Sequence, residues 1–169
     1  NNRKQNVIIA LAILATKVPH AVDGRIASIT AKGLIDIMES GGSQHITAIS
    51  LLGEGYAVWQ FYIPDPTHVI RQLFQMALPM LGESPESTIS QIPQIALDAF
   101  VNIANVDAKL YLDFCSEYLN NVQQTPPAMI NATLASMEPV MKKYPACLVP
   151  HLVPITTLLL RVLDPHFPQ

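Results

Sequence analysis

Residues 107–122 have the sequence DAKLYLDFCSEYLNNV, in which apolar side chains recur at helical spacing. Two neighbouring stripes result, one of Leu110, Phe114 and Tyr118 and one of Tyr111, Cys115, Leu119 and Val122. Asp107 stands before both stripes, where a carboxylate can accept a hydrogen bond from a free backbone N–H of the first helical turn. The pattern predicts a helix over residues 107–122 that buries one face.

Similar signals divide the rest of the chain into helices. Asp65 followed by Pro66 predicts a helix start, because proline is favoured at the first helical position, and Gly41-Gly42 predicts a helix end. The predicted helices cover residues 3–18, 25–40, 43–52, 66–82, 88–105, 107–122, 127–143 and 147–163. We expect four side chains to cap helix N-termini: Asp23, Ser43, Asp65 and Asp107. The predicted fold class is therefore all-α, with about eight helices and no strand.

Taken in pairs, these helices recur about every 40 residues, a spacing close to that of HEAT and armadillo repeats. This periodicity predicts an α-solenoid of paired antiparallel helices. The repeat units do not match one another residue for residue, so an irregular helical bundle remains the alternative. We interpret residues 1–169 as one helical-repeat domain and, since the chain lacks an initial Met, as a fragment of a larger multidomain protein.

Composition limits the classes of function. Half of the residues are apolar and the formal net charge is −3, so the chain can bury a core and has no strongly basic composition for a nucleic-acid backbone. Cys115 and Cys147 both lie in apolar segments, which predicts two buried, reduced thiols and a cytoplasmic location. We expect no nucleic-acid partner.

The first and last predicted helices are apolar nearly all round. The run from Val7 to Ala15 follows Arg3 and Lys4, as in a signal peptide, but it is too short to span a bilayer. Prolines interrupt the apolar stretch at residues 147–163, which argues against a transmembrane segment there. True solenoid ends carry a polar outer face, so we expect both helices to be covered by a missing neighbour or by a partner.

No pattern of catalytic or metal-binding residues emerges. The five histidines are scattered, and neither cysteine completes a zinc-ligand spacing. Two carboxylate pairs, Glu83 with Glu86 and Asp113 with Glu117, have polar surroundings that would not raise a carboxyl pKa for acid–base catalysis. We therefore predict no enzyme, no catalytic residue, no cofactor and no metal.

One stretch, GEGYAVWQFYIPDPT at residues 53–67, interrupts the helical pattern. We expect Gly53 to end the preceding helix in a left-handed conformation, and Gly55 to let the backbone bend or approach a neighbour. The aromatic side chains either fill a seam between two repeat units, with their polar atoms paired locally, or anchor a partner. The candidate interface or repeat-seam residues are Gly53, Gly55, Tyr56, Trp59, Phe61 and Tyr62.

The pattern Gly53-x-Gly55-Tyr56-x-Val58-Trp59-x-x-Tyr62 resembles the Gly-Arg-Gly-Phe-x-Val-Trp-x-Pro-Tyr segment of the rabconnectin beta subunit, a family of large WD-repeat proteins. The resembling segment lies in the helical region near the C-terminus of that family. Two weaker similarities keep the same order: the apolar helix that begins at residues 3–5, and residues 137–163. Glu54 replaces the usual arginine, Tyr56 the phenylalanine and Phe61 the proline, as in a distant relative, and Pro64 resembles an insertion.

The resemblance implies a protein-interaction scaffold without catalytic residues. Proteins of that family pair with a DmX-like alpha subunit and promote assembly of the vacuolar proton-translocating ATPase, so the implied partners are these proteins. The implied location is cytoplasmic, peripheral on endosomal, vacuolar or vesicle membranes. The alternative is a helical module that carries a lipid or another small ligand in an apolar interior.

Overall fold

The computed structural model describes residues 2–82 and 90–167. This part of the chain consists of α-helices joined by short turns, four of them 3₁₀ turns, and contains no strand. The α-helices are α1 (Asn2–Lys17), α2 (Gly24–Ser40), α3 (His45–Glu54), α4 (Tyr56–Trp59), α5 (Pro66–Ala77), α6 (Ile92–Val106), α7 (Ala108–Leu119), α8 (Pro127–Lys143), α9 (Pro145–Leu148) and α10 (Leu152–Leu163). The prediction of an all-α fold is confirmed.

Three of the four predicted N-caps are confirmed. Asp23 accepts a hydrogen bond from the backbone N–H of Ile26 at 2.9 Å. Asp65 and Asp107 each accept one from the third residue of the helix that follows, both at 3.1 Å. Each carboxylate satisfies a donor that the helix leaves unpaired, and its negative charge lies at the positive end of the helix dipole.

The predicted start of the third helix is wrong. Ser43 lies in a turn, and α3 begins two residues later, at His45. The preceding Gln44 makes no side-chain capping hydrogen bond. Gly41 and Gly42 do have positive φ angles of 74° and 100°, so the chain reverses at this pair of glycines, as their sequence predicts.

Prolines divide two of the predicted helices. The segment predicted over residues 66–82 is helical as far as Ala77 and continues as a 3₁₀ turn that contains Pro79. The segment predicted over residues 147–163 is α9 and α10, separated by a 3₁₀ turn that contains Pro150. Proline cannot donate a helical hydrogen bond, which favours an interruption at both sites, although α8 continues through Pro139. Of the helix predicted over residues 88–105, the first two positions lie outside the described residues.

Helix α6 occupies the centre of the core. It packs most extensively on α3 and α5, and it also contacts α7 and α8, whereas α1 and α2 form a pair that packs on α3. Phe114 of α7 meets Phe74 and Phe100 edge to face at this centre, with ring centroids 4.8 Å and 5.5 Å apart. Aromatic rings prefer this geometry, which adds to the stabilisation from burial. The arrangement of the helices as a solenoid stays a prediction.

Candidate interaction surface

The structure corrects the predicted role of Gly53. This residue lies within α3, one position before the last, and does not have a positive φ. A Cβ atom on Gly53 would lie 2.6 Å from the Cα of Ala99 on α6, much closer than real Cβ atoms approach backbone. Glycine is therefore required here because two helices touch, and not because a helix ends.

Gly55, which directly precedes α4, and Trp59, the last residue of α4, form one packed unit. A Cβ atom on Gly55 would lie 2.0 Å from the indole ring of Trp59, so only glycine leaves room for the ring. The Trp59 side chain is fully buried, and its Nε1 donates a hydrogen bond to the carbonyl of Leu52 at 3.2 Å. The indole belongs to the hydrophobic core, with its polar atom satisfied.

Tyr56 is also buried, but its hydroxyl has no hydrogen-bond partner among the described residues. The expectation that the polar atoms of these rings pair locally is therefore wrong for Tyr56. Burial, together with the nearby charge of Asp107, raises the pKa of Tyr56 to about 12. The phenol stays neutral at physiological pH, so it supplies no charge for catalysis.

We expect Tyr56→Phe to leave the free energy of unfolding unchanged or to raise it by about 1 kcal/mol, because the substitution removes an unpaired buried hydroxyl. The matched control is Tyr111→Phe. The Tyr111 hydroxyl is buried and lies 3.0 Å from the Ser136 Oγ, so its removal is expected to cost about 1 kcal/mol. Urea denaturation of both variants checks the prediction. Equal losses would contradict the assignment of Tyr56 as unpaired.

The other two aromatic side chains of this segment lie on the surface. Phe61 is 85% exposed and Tyr62 is 40% exposed, both in the 3₁₀ turn that follows α4. This turn packs on α2, and the Tyr62 hydroxyl lies 2.7 Å from the position that a Cβ atom of Gly24 would occupy. The six candidate residues thus divide into a core group and a surface pair, Phe61 and Tyr62.

A second apolar surface is the outer face of α10, together with the 3₁₀ turn that precedes it. Its exposed apolar residues are Val149 (60%), Leu152 (57%), Val153 (78%) and Leu163 (83%). Thr156 lies on the same face, and its hydroxyl donates to the carbonyl of Leu152 at 2.7 Å, which satisfies the hydroxyl within the helix. We call these five residues the α10 face. Only Ile155 and Leu158 of α10 are fully buried.

Residues 145–163 form a segment long and apolar enough to cross a membrane by length and composition, and 17% of its most apolar stretch is buried. Core helices of soluble proteins also satisfy this criterion, but they are mostly buried, and this segment is not. Sequence reasoning identified this segment as apolar nearly all round. The inward face of α10 packs mainly on α7, and Arg161 donates a hydrogen bond to Asn120, directly after α7.

Where the structure describes them, the carboxylates considered as catalytic candidates are paired, and the thiol of Cys115 is protonated. Glu117 accepts a hydrogen bond from Arg71 at 2.6 Å, Asp113 accepts one from Lys109 at 2.9 Å, and all four side chains are partly solvated. The pair Glu83 and Glu86 lies outside the described residues. Burial raises the pKa of Cys115 to about 12, so its thiol stays protonated.

Two further predictions concern cysteine and metal sites. Cys115 is buried as predicted, but Cys147 is only half-buried, so the prediction of two buried thiols is wrong for Cys147. Within residues 2–82 and 90–167, no group of His, Cys, Asp and Glu side chains could hold a metal ion.

Sequence reasoning missed a polar cleft where α3, α6 and the end of α8 meet. Its volume is about 570 Å³. Polar side chains form much of its wall, among them Ser50, Glu54, Asp98, Asn102 and Lys143. Ser50 donates to Glu54, and the Tyr144 hydroxyl donates to Asn102 at 2.8 Å. These polar groups come from distant parts of the chain, and no local pattern in the sequence could have grouped them.

Comparisons of the chain with protein-family models, with curated proteins and with solved structures find no match.

Proposed function

We propose that this chain is a non-catalytic, protein-interaction segment of a scaffold and that the α10 face is its main docking surface. The exposed apolar row on α10 is the observation that carries the proposal. Four apolar side chains of this surface are at least 57% exposed, and exposed apolar patches mark interaction sites in soluble proteins. A partner that covers Leu152, Val153 and Leu163 would remove that surface from water.

The pKa values of the buried ionisable groups also favour a role in protein contacts over a role in catalysis. Desolvation holds the pKa of Tyr56 and of Cys115 at about 12, and it raises the pKa of Tyr111 well above the usual value for tyrosine. Catalytic acids, bases and nucleophiles need a pKa near the working pH. These three side chains instead remain protonated, which suits a packed core.

The finer proposal is a rabconnectin-type role in assembly of the vacuolar proton-translocating ATPase, on an α-solenoid framework. Its support is the Gly53-x-Gly55-Tyr56-x-Val58-Trp59-x-x-Tyr62 pattern. The packing of Gly55 against the Trp59 ring explains in structural terms why these two residues of the pattern occur together. The proposed partners are a DmX-like subunit and subunits of the proton ATPase, and the proposed location is the cytoplasmic side of vesicle membranes.

The alternative function, transport of a lipid or small ligand, has less support. A lipid carrier needs an enclosed apolar cavity. The cleft of about 570 Å³ between α3 and α6 is instead lined by Glu54, Asp98, Asn102 and Lys143, whose desolvation by a lipid chain would be unfavourable. We therefore retain the scaffold as the proposed function.

We expect Val153→Asp to reduce recovery of the partner at least about tenfold, because a charge on the α10 face would be buried without a counter-charge. The measurement is affinity purification of the full chain and of the variant from a eukaryotic lysate, quantified by mass spectrometry. Recovery of proton-ATPase subunits or of a DmX-like protein with the unmodified chain supports the finer proposal.

The matched control is Ile46→Asp, which places the same charge at an exposed apolar position of α3, where Ile46 is 38% exposed. The proposal requires that Ile46→Asp retain these proteins while Val153→Asp loses them. Equal recovery with both variants would remove the α10 face from the proposal. If the unmodified chain recovers neither protein, the rabconnectin-type role is wrong.

A further inference from the structure

The outer face of α1 combines an apolar row with a cation at each end. Arg3, Val7, Ala10, Leu14 and Lys17 recur at helical spacing on one side of α1, and all five are exposed. The opposite side carries the buried residues Ile8, Ile9, Ala12 and Ala15. Ile13 extends the exposed row and is 45% exposed. Since α1 contains no Asp or Glu, the charged residues of this face are all positive, and Asn6 is the neutral polar residue beside the row.

Positive charge is concentrated around this helix. Five of the ten Lys and Arg residues lie in residues 1–32, against one of the thirteen Asp and Glu residues. The segment therefore has a formal charge of +4 in a chain whose net charge is −3. An excess of positive charge in one segment favours contact with anions, whereas the net charge of the chain does not.

The five cations of this segment also lack partners. Arg3, Lys4, Lys17, Arg25 and Lys32 are all exposed, and none has an ion pair or hydrogen bond with a side chain in residues 2–82 and 90–167. Every later cation has a side-chain partner: Arg71 has Glu117, Lys109 has Asp113, Lys142 has Glu138, Lys143 has Asn102, and Arg161 has Asn120. The difference separates the first two helices from the rest of the chain.

The stability of the fold does not explain this placement. Arg3 and Lys4 occupy the first turn of α1, where the helix dipole favours anions and disfavours cations. Val7 and Leu14 are 53% and 51% exposed, so they contribute little to the core. An anionic, partly apolar partner outside the chain would compensate for both features.

We propose that α1 docks on an anionic lipid surface, with its axis parallel to the membrane plane. Val7, Ile13 and Leu14 enter the boundary between headgroups and acyl chains, while Arg3 and Lys17 extend to lipid phosphates at the two ends of the row. The other cations of the segment add long-range attraction to an anionic leaflet. This contact is separate from the protein contact proposed for the α10 face.

The composition of the α1 face favours lipid over an acidic protein. The cores of protein interfaces are enriched in aromatic residues and Met and depleted in Lys. The α1 face contains no aromatic residue and no Met, and Lys17 ends its apolar row. Helices that lie at a membrane interface combine Leu and other apolar residues with Lys and Arg, whose long side chains reach the lipid headgroups. On α10, by contrast, the only Lys or Arg residue, Arg161, is held by Asn120.

The test is co-sedimentation of the full chain with lipid vesicles. We expect binding to phosphatidylcholine vesicles that contain about one third phosphatidylserine, and at least about tenfold weaker binding to phosphatidylcholine alone. High salt is expected to weaken the binding, because exposed charges are screened. The double substitution Arg3→Glu/Lys17→Glu, and separately Leu14→Glu, should each reduce binding at least about tenfold.

The matched control is Lys109→Glu/Lys142→Glu, which makes the same change of net charge at side chains that are 81% and 75% exposed on α7 and α8. This variant should bind as the unmodified chain does, with thermal unfolding followed to establish that all variants are folded. The proposal is wrong if the chain does not bind anionic vesicles, or if the control loses binding as much as the α1 variants do. It is also wrong if the α1 substitutions abolish capture of an acidic protein but leave vesicle binding unchanged.

Discussion

Replacement of Trp59 by alanine is expected to lower the free energy of unfolding by about 3–5 kcal/mol, the usual cost of removing a large buried aromatic side chain. The Trp59 ring is fully buried against Gly55, whose missing side chain gives it room. The substitution would leave a cavity and would deprive the Leu52 carbonyl of its indole donor. Urea denaturation, followed by far-ultraviolet circular dichroism, measures the change.

Two further substitutions test whether the loss of stability is specific to the buried indole ring. Trp59→Phe keeps an aromatic ring and loses the hydrogen bond to Leu52, so its cost should be clearly smaller. Phe61→Ala changes a ring that is 85% exposed, and we expect an effect within about 0.5 kcal/mol. A small effect of Trp59→Ala, comparable to that of Phe61→Ala, would be incompatible with the observed burial.

The second large effect is expected for Gly53→Val, which should lower the free energy of unfolding by about 3 kcal/mol. The new Cβ atom would meet the Cα of Ala99 at 2.6 Å. Because that atom belongs to the backbone of α6, it cannot move aside as a flexible side chain would, and α3 and α6 must separate. The same denaturation experiment measures the loss.

Gly82→Val is the matched control for this substitution. Among the described residues, no atom lies within 4 Å of the position that a Cβ atom on Gly82 would occupy, so its replacement should change stability by about 0.5 kcal/mol or less. Similar losses at positions 53 and 82 would mean that a general property of glycine, and not the contact with Ala99, determines the effect.

The helices that the sequence predicts best are those whose signals are local. Asp23, Asp65 and Asp107 cap helices as predicted, because a cap acts on a donor only three residues away. The stripes on residues 107–122 predict a buried face, and Tyr111, Phe114, Cys115 and Leu119 are indeed buried. Periodicity and capping are properties of neighbouring residues, which the sequence contains in full.

The role of Gly53 could not be predicted, because its cause is 46 positions away at Ala99. A glycine near the end of a helical pattern has the same local appearance whether it ends the helix or touches a second helix. The aromatic cluster presents the same difficulty. Trp59 and Phe61 stand two positions apart, yet one ring is fully buried and the other is 85% exposed.

The two candidate surfaces, on α1 and α10, were likewise predictable only in part. The sequence predicts that the first and last helices are apolar nearly all round, and both do expose apolar residues. Which face of each remains outside depends on packing: α1 contacts α2 and α3, and α10 contacts α7. Likewise, the sequence does not show that Arg3 and Lys17 have no acidic partner among the described residues. Only the positions of the acidic side chains in the structure show it.

Trp59 is the single tryptophan of the chain, so its position determines what intrinsic fluorescence can report. The emission of a buried indole follows the integrity of the core around Leu52 and Gly55. Circular dichroism follows all helices together, including α10, in which only two residues are fully buried. Coincident midpoints from the two signals would make the chain one cooperative unit, whereas separate midpoints would show that some helices open apart from the core, with α10 the first candidate.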